Sequence, residues 1–502
     1  MSNVVKAVIG VAAIVFAPML APALLGGMGI AATATMVGVA TLGITLVGAS
    51  LVGSSTGDSM ASAVDQASVE GYAGAKLQTS KSNVAPVPII YGEHKIGGNI
   101  IWQYTNASPN GNNTTNGFNR DYWAIMVICD HVVEDIIRCF IGEDELTDST
   151  NNLWATEYVH VKFHPYSTSA SNVQASNTFV INDSLALSGS NTPSLPSIVI
   201  PAKVAYLAIH QVFDGEETKN TAIEPLALKL QGKKIRSFQN DTTITSSIAY
   251  STNPAAILLD LLGTGLDVAD SDIDIGSFFQ AQVQCAAAGF TCHLALIQQA
   301  NIQSIIADVL ATCRGKIFHS ESKWKFKIDT KSQSVVDTLT SDDVMQNTLS
   351  ISMAGSGNLA NKMILKYINP ADEYLSAQVV KEDSNLQTYD GQVIQKTLDI
   401  KGINNATHAN KLCEIALNSL RYSEDASGNR LKQTPLAITF ATSVKNAHLE
   451  VGDVISLNHA LLDRVRQFLI LSTATDQSGV IQISAREYCE THFKNSSGNY
   501  LI

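Results

Sequence analysis

The sequence predicts a mainly β chain with an α+β middle section, preceded by an apolar helical N-terminal segment. Three observations carry this. Strand-like runs outnumber helix-like ones. The clear one-face helical stripes begin only in the second half of the chain. No charged side chain occurs from Ala7 to Gly57, where Lys6 is the only charge before Asp58.

The apolar stretch is long enough for two membrane-spanning helices of about 20 residues each, broken at Pro18–Pro22 or at Gly26–Gly27. Gly and Ala dominate it, and small residues let helix backbones approach closely. Packing inside an assembly is therefore the second reading. A secretory signal is the third, although its apolar part would run only about 7–15 residues.

The stretch "VAPVPIIYGEHKIGGNIIW" follows, from Val84 to Trp102. It has strand composition, but Pro86 and Pro88 keep its entry off a sheet centre. Gly97–Gly98 turn the chain into a second strand. "DYWAIMVIC", "VVEDIIRCFIG", "VAYLAIHQVF" and "PLALKLQGKKI" read as further strands. Two excursions rich in turn formers, Thr105 to Arg120 and Pro165 to Pro201, interrupt them.

Three helices then announce themselves. "NPAAILLDLLG" has Asn253 as N-cap, Pro254 at the first helical position and Gly263 at the stop. "NIQSIIADVLATCRG" is capped by Asn301 and aligns Ile302, Ile305, Ile306, Val309, Leu310 and Cys313 on one face. "HANKLCEIALNSLRY" repeats the spacing at Ala409, Leu412, Cys413, Ala416, Leu417 and Leu420. Such stripes are core faces. "KWKFKID", "NKMILKYI", "LAITFATS", "VGDVISLN" and "RQFLILSTATDQSGVIQIS" read as strands, with turns at Gly452–Asp453 and at Asp476 to Gly479. This layout suggests small barrels or sandwiches flanking a helical section.

Bulk properties narrow the function. At 502 residues the chain holds several domains. A net charge of −12 and the lack of any basic run exclude a surface for specific nucleic-acid binding. Seven cysteines, an odd number without a CxxC pair, point to buried free thiols in a reducing compartment.

No catalytic constellation is present. HExxH, GxSxG and the phosphate-cradling GxxxxGK[ST] are all missing. His160 and His164 share one strand face but lack the further donors a metal site needs. Asp214, Glu216 and Glu217 read as a solvated turn, since the calcium-loop pattern is absent. Cys292 and His293 are adjacent, whereas a cysteine nucleophile and its base usually come from separate segments. Asn106 and Asn113 lie in glycosylation sequons that matter only after export. The expected catalytic, cofactor and metal residues are none.

"KLQTSKSNVAPVPIIYGEHKIGGNIIWQY" resembles the N-terminal region of phage tail-tip hub proteins, the family of the lambda-type tip attachment protein and the hub of gene transfer agents. Thr79, Ser80, Pro86, Pro88, Tyr91, Gly92, Gly97, Gly98, Ile101 and Trp102 stand at matching places. Lys95 sits where the family often has Arg, and Asn83 replaces the usual Gly. The later stretches "VAYLAIHQVF", "LALKLQGKKI", "NPAAILLDLLG", "IIADVLATCRGKIFHSESKWKFKID", "NKMILKYINPADEY" and "LEVGDVISL" are similar to that family in the same order.

The resemblance implies two tail-tube-like β-barrel domains and a homotrimeric ring that presents pseudo-sixfold symmetry to the tail tube. Residues 1–57 would be the apolar segment, 58–240 a first barrel with Ser/Asn-rich insertions, 241–335 an α+β domain and 336–502 a second barrel. Implied partners are the tail tube or distal tail protein, the tape-measure protein, and tip or fibre proteins. Host-membrane contact through residues 7–57 during DNA ejection is also implied. The implied location is the tail tip of a virion assembled in the host cytoplasm, a siphophage tail being favoured. Larger members continue into host-binding domains; this sequence ends at Ile502, which leaves receptor recognition to a separate protein. The alternative is a membrane-anchored bacterial envelope protein.

Overall fold

The computed structural model describes residues 14–15, 86–106, 121–141, 144–149, 153–155, 159–164, 171–173, 198–200, 204–212, 226–297, 300–331, 333–353, 359–476 and 478–502. In chain order the N-terminal strands are β1 (Ile89–Tyr91), β2 (Glu93–Ile96), β3 (Asn99–Asn106), β4 (Asp121–Cys129), β5 (Val133–Ile141), β6 (Asp144–Ser149), β7 (Leu153–Ala155), β8 (Val159–His164), β9 (Ala205–Val212), β10 (Leu226–Ile235) and β11 (Ala249–Tyr250). The middle carries α1 (Pro254–Gly265), α2 (Ile275–Ala288), β12 (Leu294–Leu296), α3 (Ile302–Cys313), β13 (Gly315–Ser320) and β14 (Lys323–Ile328). Then come β15 (Val335–Thr340), β16 (Ser350–Met353), β17 (Lys362–Asn369), β18 (Leu375–Glu382), α4 (Ser384–Asp390), β19 (Gln395–Asp399), α5 (Ala406–Arg421), β20 (Leu436–Thr442), β21 (Val454–Asn458), β22 (Arg466–Thr475) and β23 (Ile481–Glu487).

Most of the N-terminal strands join one sheet in the order β11-β10-β5-β6-β7-β8-β9-β4-β3, with β2 also paired to β10. "DYWAIMVIC" lacks polar alternation because β4 is covered on both faces. Tyr122, Ala124, Met126 and Ile128 enter the main core of this sheet. Trp123, Ile125 and Val127 pack on the other side with Val204 and Ala208. Register shifts in the β3–β4, β9–β4 and β10–β5 pairs mark irregularities of the kind that sharpen local twist.

The proline-marked stretch takes the expected form. β1 pairs with β12 in a separate two-stranded ribbon, outside the large sheet. Gly97 and Gly98 lie between β2 and β3.

Helices α2 and α3 pack on the β13–β14 hairpin, and α1 packs on α2 and α3. Phe278 of α2 sits 5.5 Å from Phe238 and 5.4 Å from Phe326, ring centre to ring centre. This core continues through Met363, Leu365 and Leu398 to Ala409, Leu412, Cys413, Leu417 and Leu420 of α5. The three-stranded sheet β18-β17-β19 and α5 thus complete the helical core, although they lie between β16 and β20 in sequence. β15 to β23 otherwise form a second large sheet, in the order β15-β21-β22-β23-β20-β16. Its own core includes Leu339, Ile438, Phe440, Leu457, Phe468, Ile470 and Ile483.

The chain is mainly β with a few helices, as the sequence predicts. The two expected barrels are not seen: among the described residues the strands form two large sheets, neither of which closes on itself. The apolar N-terminal segment lies outside the described residues except Ile14–Val15, a two-residue strand against Lys316 and Ile317.

Local expectations hold at the caps: Asn253 and Asn301 accept backbone N–H bonds from Ala255 and Gln303. Gly263 does not end α1, which runs on to Gly265; the Leu266 N–H then bonds back to the Leu262 carbonyl. No predicted stripe marked α2, yet Asp274 caps it and Gly289 ends it in the left-handed region.

Candidate functional site: the joints between the three cores

The sequence-predicted chemical candidates do not converge. His160 and His164 lie on β8, and His160 is in register with His210 of β9. Asn106 ends β3; Asn113 and the Asp214–Glu217 cluster lie outside the described residues. Cys292 and His293 are both buried. Burial pushes the Cys292 thiol up and lowers His293 to about 3, so both are neutral and form no thiolate–imidazolium pair. Among the described residues no group of three or more His, Cys, Asp or Glu is placed to hold a metal ion. All seven cysteines are free and buried.

Polar side chains concentrate instead where the cores meet. The first joint ties β1 and β2 to the helical core. Tyr91 Oη and Lys233 Nζ each donate to Asp260 Oδ2 of α1 at 2.6 Å. The Ile90 N–H donates to His131 Nε2 at 2.9 Å, and the Glu93 N–H to His293 Nδ1 at 3.0 Å. The chain passes His293 so closely that a Cβ on Gly92, which has φ +74°, would stand 2.5 Å from Nδ1.

The second joint ties β2 and β10 to the turn between β17 and β18. Glu93 accepts from Tyr374 Oη at 2.5 Å and pairs with Lys229 at 2.9 Å. Lys95 pairs with Glu373. Burial works to raise the Glu93 carboxyl, but Tyr374 and Lys229 outweigh it and hold it below its ordinary value. Glu373 and Tyr374 both take positive φ, at 50° and 61°. Left-handed backbone at two side-chain-bearing residues in succession is costly and persists only where its surroundings fix it; their polar bonds to β2 do so here.

The third joint ties the β13–β14 hairpin to the C-terminal sheet. Asp329 is 2% exposed and accepts from three cations. Arg314 Nη2 lies 3.3 Å and Arg486 Nη2 2.8 Å from its Oδ2, and Lys316 Nζ bonds to Oδ1. Burial lowers Arg314 to about 9 and Arg486 to about 10, and drives Lys316 well below its usual range. Beside this cluster Glu450 takes Lys325 at 2.6 Å and Lys327 at 3.1 Å, and Asp453 takes Lys327 at 2.8 Å. α5 adds a fourth link: its Ile415 leaves the helical core and packs with Val454, Leu469, Tyr488 and Phe493.

These joints fix relative positions of large elements, the property a mechanical subunit needs. Their signal in the sequence is only partial. Lys316, Lys325 and Lys327 alternate with apolar residues in strands; a lysine inside a strand that also packs a core must find a carboxylate.

Residues 301–473 match the model of a family described as a putative phage tail protein. Among curated proteins none matches this chain in sequence. Among solved structures, a chain in the virion of a native gene transfer agent particle matches 90% of this chain and 98% of its own length, at 12% identity and a TM-score of 0.52. A prophage tail protein from Listeria monocytogenes EGD-e is matched at 7% identity over 76% of this chain and 86% of its own, with a TM-score of 0.28. A chain of the phage P2 baseplate in its activated conformation is matched at 11% identity over 77% and 97%, with a TM-score of 0.18. The first shows a shared fold; the other two scores are too low to carry an argument. The family match links residues 301–473 to phage tail proteins, and the shared fold extends over nearly the whole chain.

Proposed function

We propose that the chain is the hub subunit of a phage-type tail tip. It forms a ring, of three copies, that closes the tail tube, carries tip or fibre proteins and opens for DNA ejection. The observation that carries this reading is the fold shared, over nearly all of both chains, with a chain of a gene transfer agent virion. The family match across residues 301–473 and the collinear tail-tip motifs around Val84–Trp102 support it. The role is structural, without a catalytic step.

The two large sheets serve as the two tube-like elements, and the helical core with its three joints holds them at a fixed spacing. Three copies then offer six sheets to a sixfold tube. The first sheet lies largely within residues 58–240 and the second within 336–502, while β17 to β19 and α5 join residues 241–335 in the helical core. The stretch 1–57 lines or plugs the lumen against the tape-measure protein and meets the host membrane on ejection. The envelope-anchor alternative rests on that stretch alone.

Counting copies tests the ring. Quantitative mass spectrometry of purified tailed particles, with isotope-labelled peptides from residues 302–328, is expected to find three copies per particle. Six copies, or a number that follows the tube protein, would overturn the ring of three.

A further inference from the structure

Four of the buried histidines bond through ring nitrogens in two opposite ways. His408 Nε2 donates to the Thr312 carbonyl at 2.7 Å, and His492 Nε2 to the Tyr422 carbonyl at 2.7 Å. A second proton leaves those bonds intact. His131 and His293 instead accept. Ile90 N–H points at His131 Nε2, while His131 Nδ1 faces the Val132 carbonyl at 3.1 Å. Glu93 N–H and, at 3.1 Å, Asn404 Nδ2 both point at His293 Nδ1. Both acceptors hold one short segment, the part of the chain that contains β1 and β2.

Protonation would turn each acceptor into a donor facing a donor; the carboxylate of Asp130, next to His131 in the chain, accepts from neither ring nitrogen. Around His131, Lys233 opposes a positive ring and Asp260 favours it, but Asp260 Oδ2 is already bonded to Tyr91 and Lys233. Around His293 stand His94 and His408, both of which oppose a positive ring. Glu93, the nearest carboxylate to His94, is held by Tyr374 and Lys229. His94 is itself buried, and its Nε2 has no hydrogen-bond partner among the described residues.

We propose that Pro86–Ile96 is an acid-released latch: protonation of His131 and His293 frees this segment before the helical core and the second sheet unfold. Burial lowers His131 to about 4 and His293 to about 3. A depressed imidazole gives stability that is complete above its free value, near 6.5, and lost as pH falls towards the folded value. The latch therefore holds at neutral pH and weakens between about 6.5 and 4.

Hydrogen exchange on the full chain at pH 7 and pH 5, corrected for intrinsic rates, tests this. Peptides covering 86–96 are expected to lose protection by at least about 20-fold, the factor that one such imidazole gives over this range. Peptides from 302–313 and 436–442 should keep theirs. In the double variant His131→Gln, His293→Gln the side-chain oxygens accept the same N–H bonds without titrating, and protection of 86–96 should persist at pH 5. Loss of 86–96 only together with 302–313 in the wild type overturns the latch, whether or not the variant folds. Equal acid opening in a folded double variant does the same.

Discussion

Asp329→Ala is expected to remove about 3–5 kcal/mol of folding stability, the usual cost of leaving buried charge unpaired. The reason is a charge count. Three cations, Arg314, Lys316 and Arg486, converge on this single carboxylate. Arg314 Nε has no partner among the described residues, so that guanidinium is already short of acceptors. Without Asp329 the cations face one another in a site closed to water, and the β13–β14 hairpin repels β23. The loss should appear as a lower urea midpoint. Adding Arg486→Met removes one of the stranded charges and should return part of the stability, a non-additive result expected of residues that share one network. A loss below about 1 kcal/mol, the level of an exposed pair, would mean that water reaches this joint.

Gly232→Ala is expected to cost about 3 kcal/mol, at the upper end for overpacking, although it adds one methyl group. A Cβ at 232 would stand 2.2 Å from the Ile90 carbonyl oxygen and 2.7 Å from its carbon. Both are backbone atoms and cannot rotate away. β10 and the β1–β2 segment touch main chain to main chain there, joined by the bond from Gly232 N–H to the Gly92 carbonyl at 2.8 Å. Relief of the clash would pull Ile90 from His131 and weaken the first joint. Gly263→Ala is the matched control: nothing lies within 4 Å of its added carbon. In the last turn of α1 it should stabilise by up to about 1 kcal/mol. Thermal unfolding of both variants checks the pair, and similar midpoints would contradict the close approach at 232.

The pattern of elements was legible because local chemistry sets it. Asn253, Asn301 and the stripes of α3 and α5 follow from capping and periodicity, and the structure buries nearly every stripe residue. α2 escaped notice because Gly276, Phe278 and Phe279 dilute its opening turns, while its signals, Asp274 and Gly289, are single residues. Gly263 misled for a related reason: glycine marks a helix end only where the chain turns left-handed, and the residues beyond it decide that. The joints were not legible. Asp329 reads as the end of a strand, and its three cations come from positions 314, 316 and 486. Only the fold brings them together. Likewise His131 and His293 look like ordinary core histidines until each is seen to accept an N–H from the stretch between Pro88 and His94.

The most direct test of the central claim is the position of the chain in a particle. Antibodies raised against the purified protein, bound to gold and applied to tailed particles from the producing cell, are expected to mark one end of the tail, distal to the head. Membrane fractions of the same cells are assayed alongside. Label at the distal end alone is the predicted result. Bare tails with the signal confined to membranes would contradict the hub and return the apolar stretch to the role of an envelope anchor.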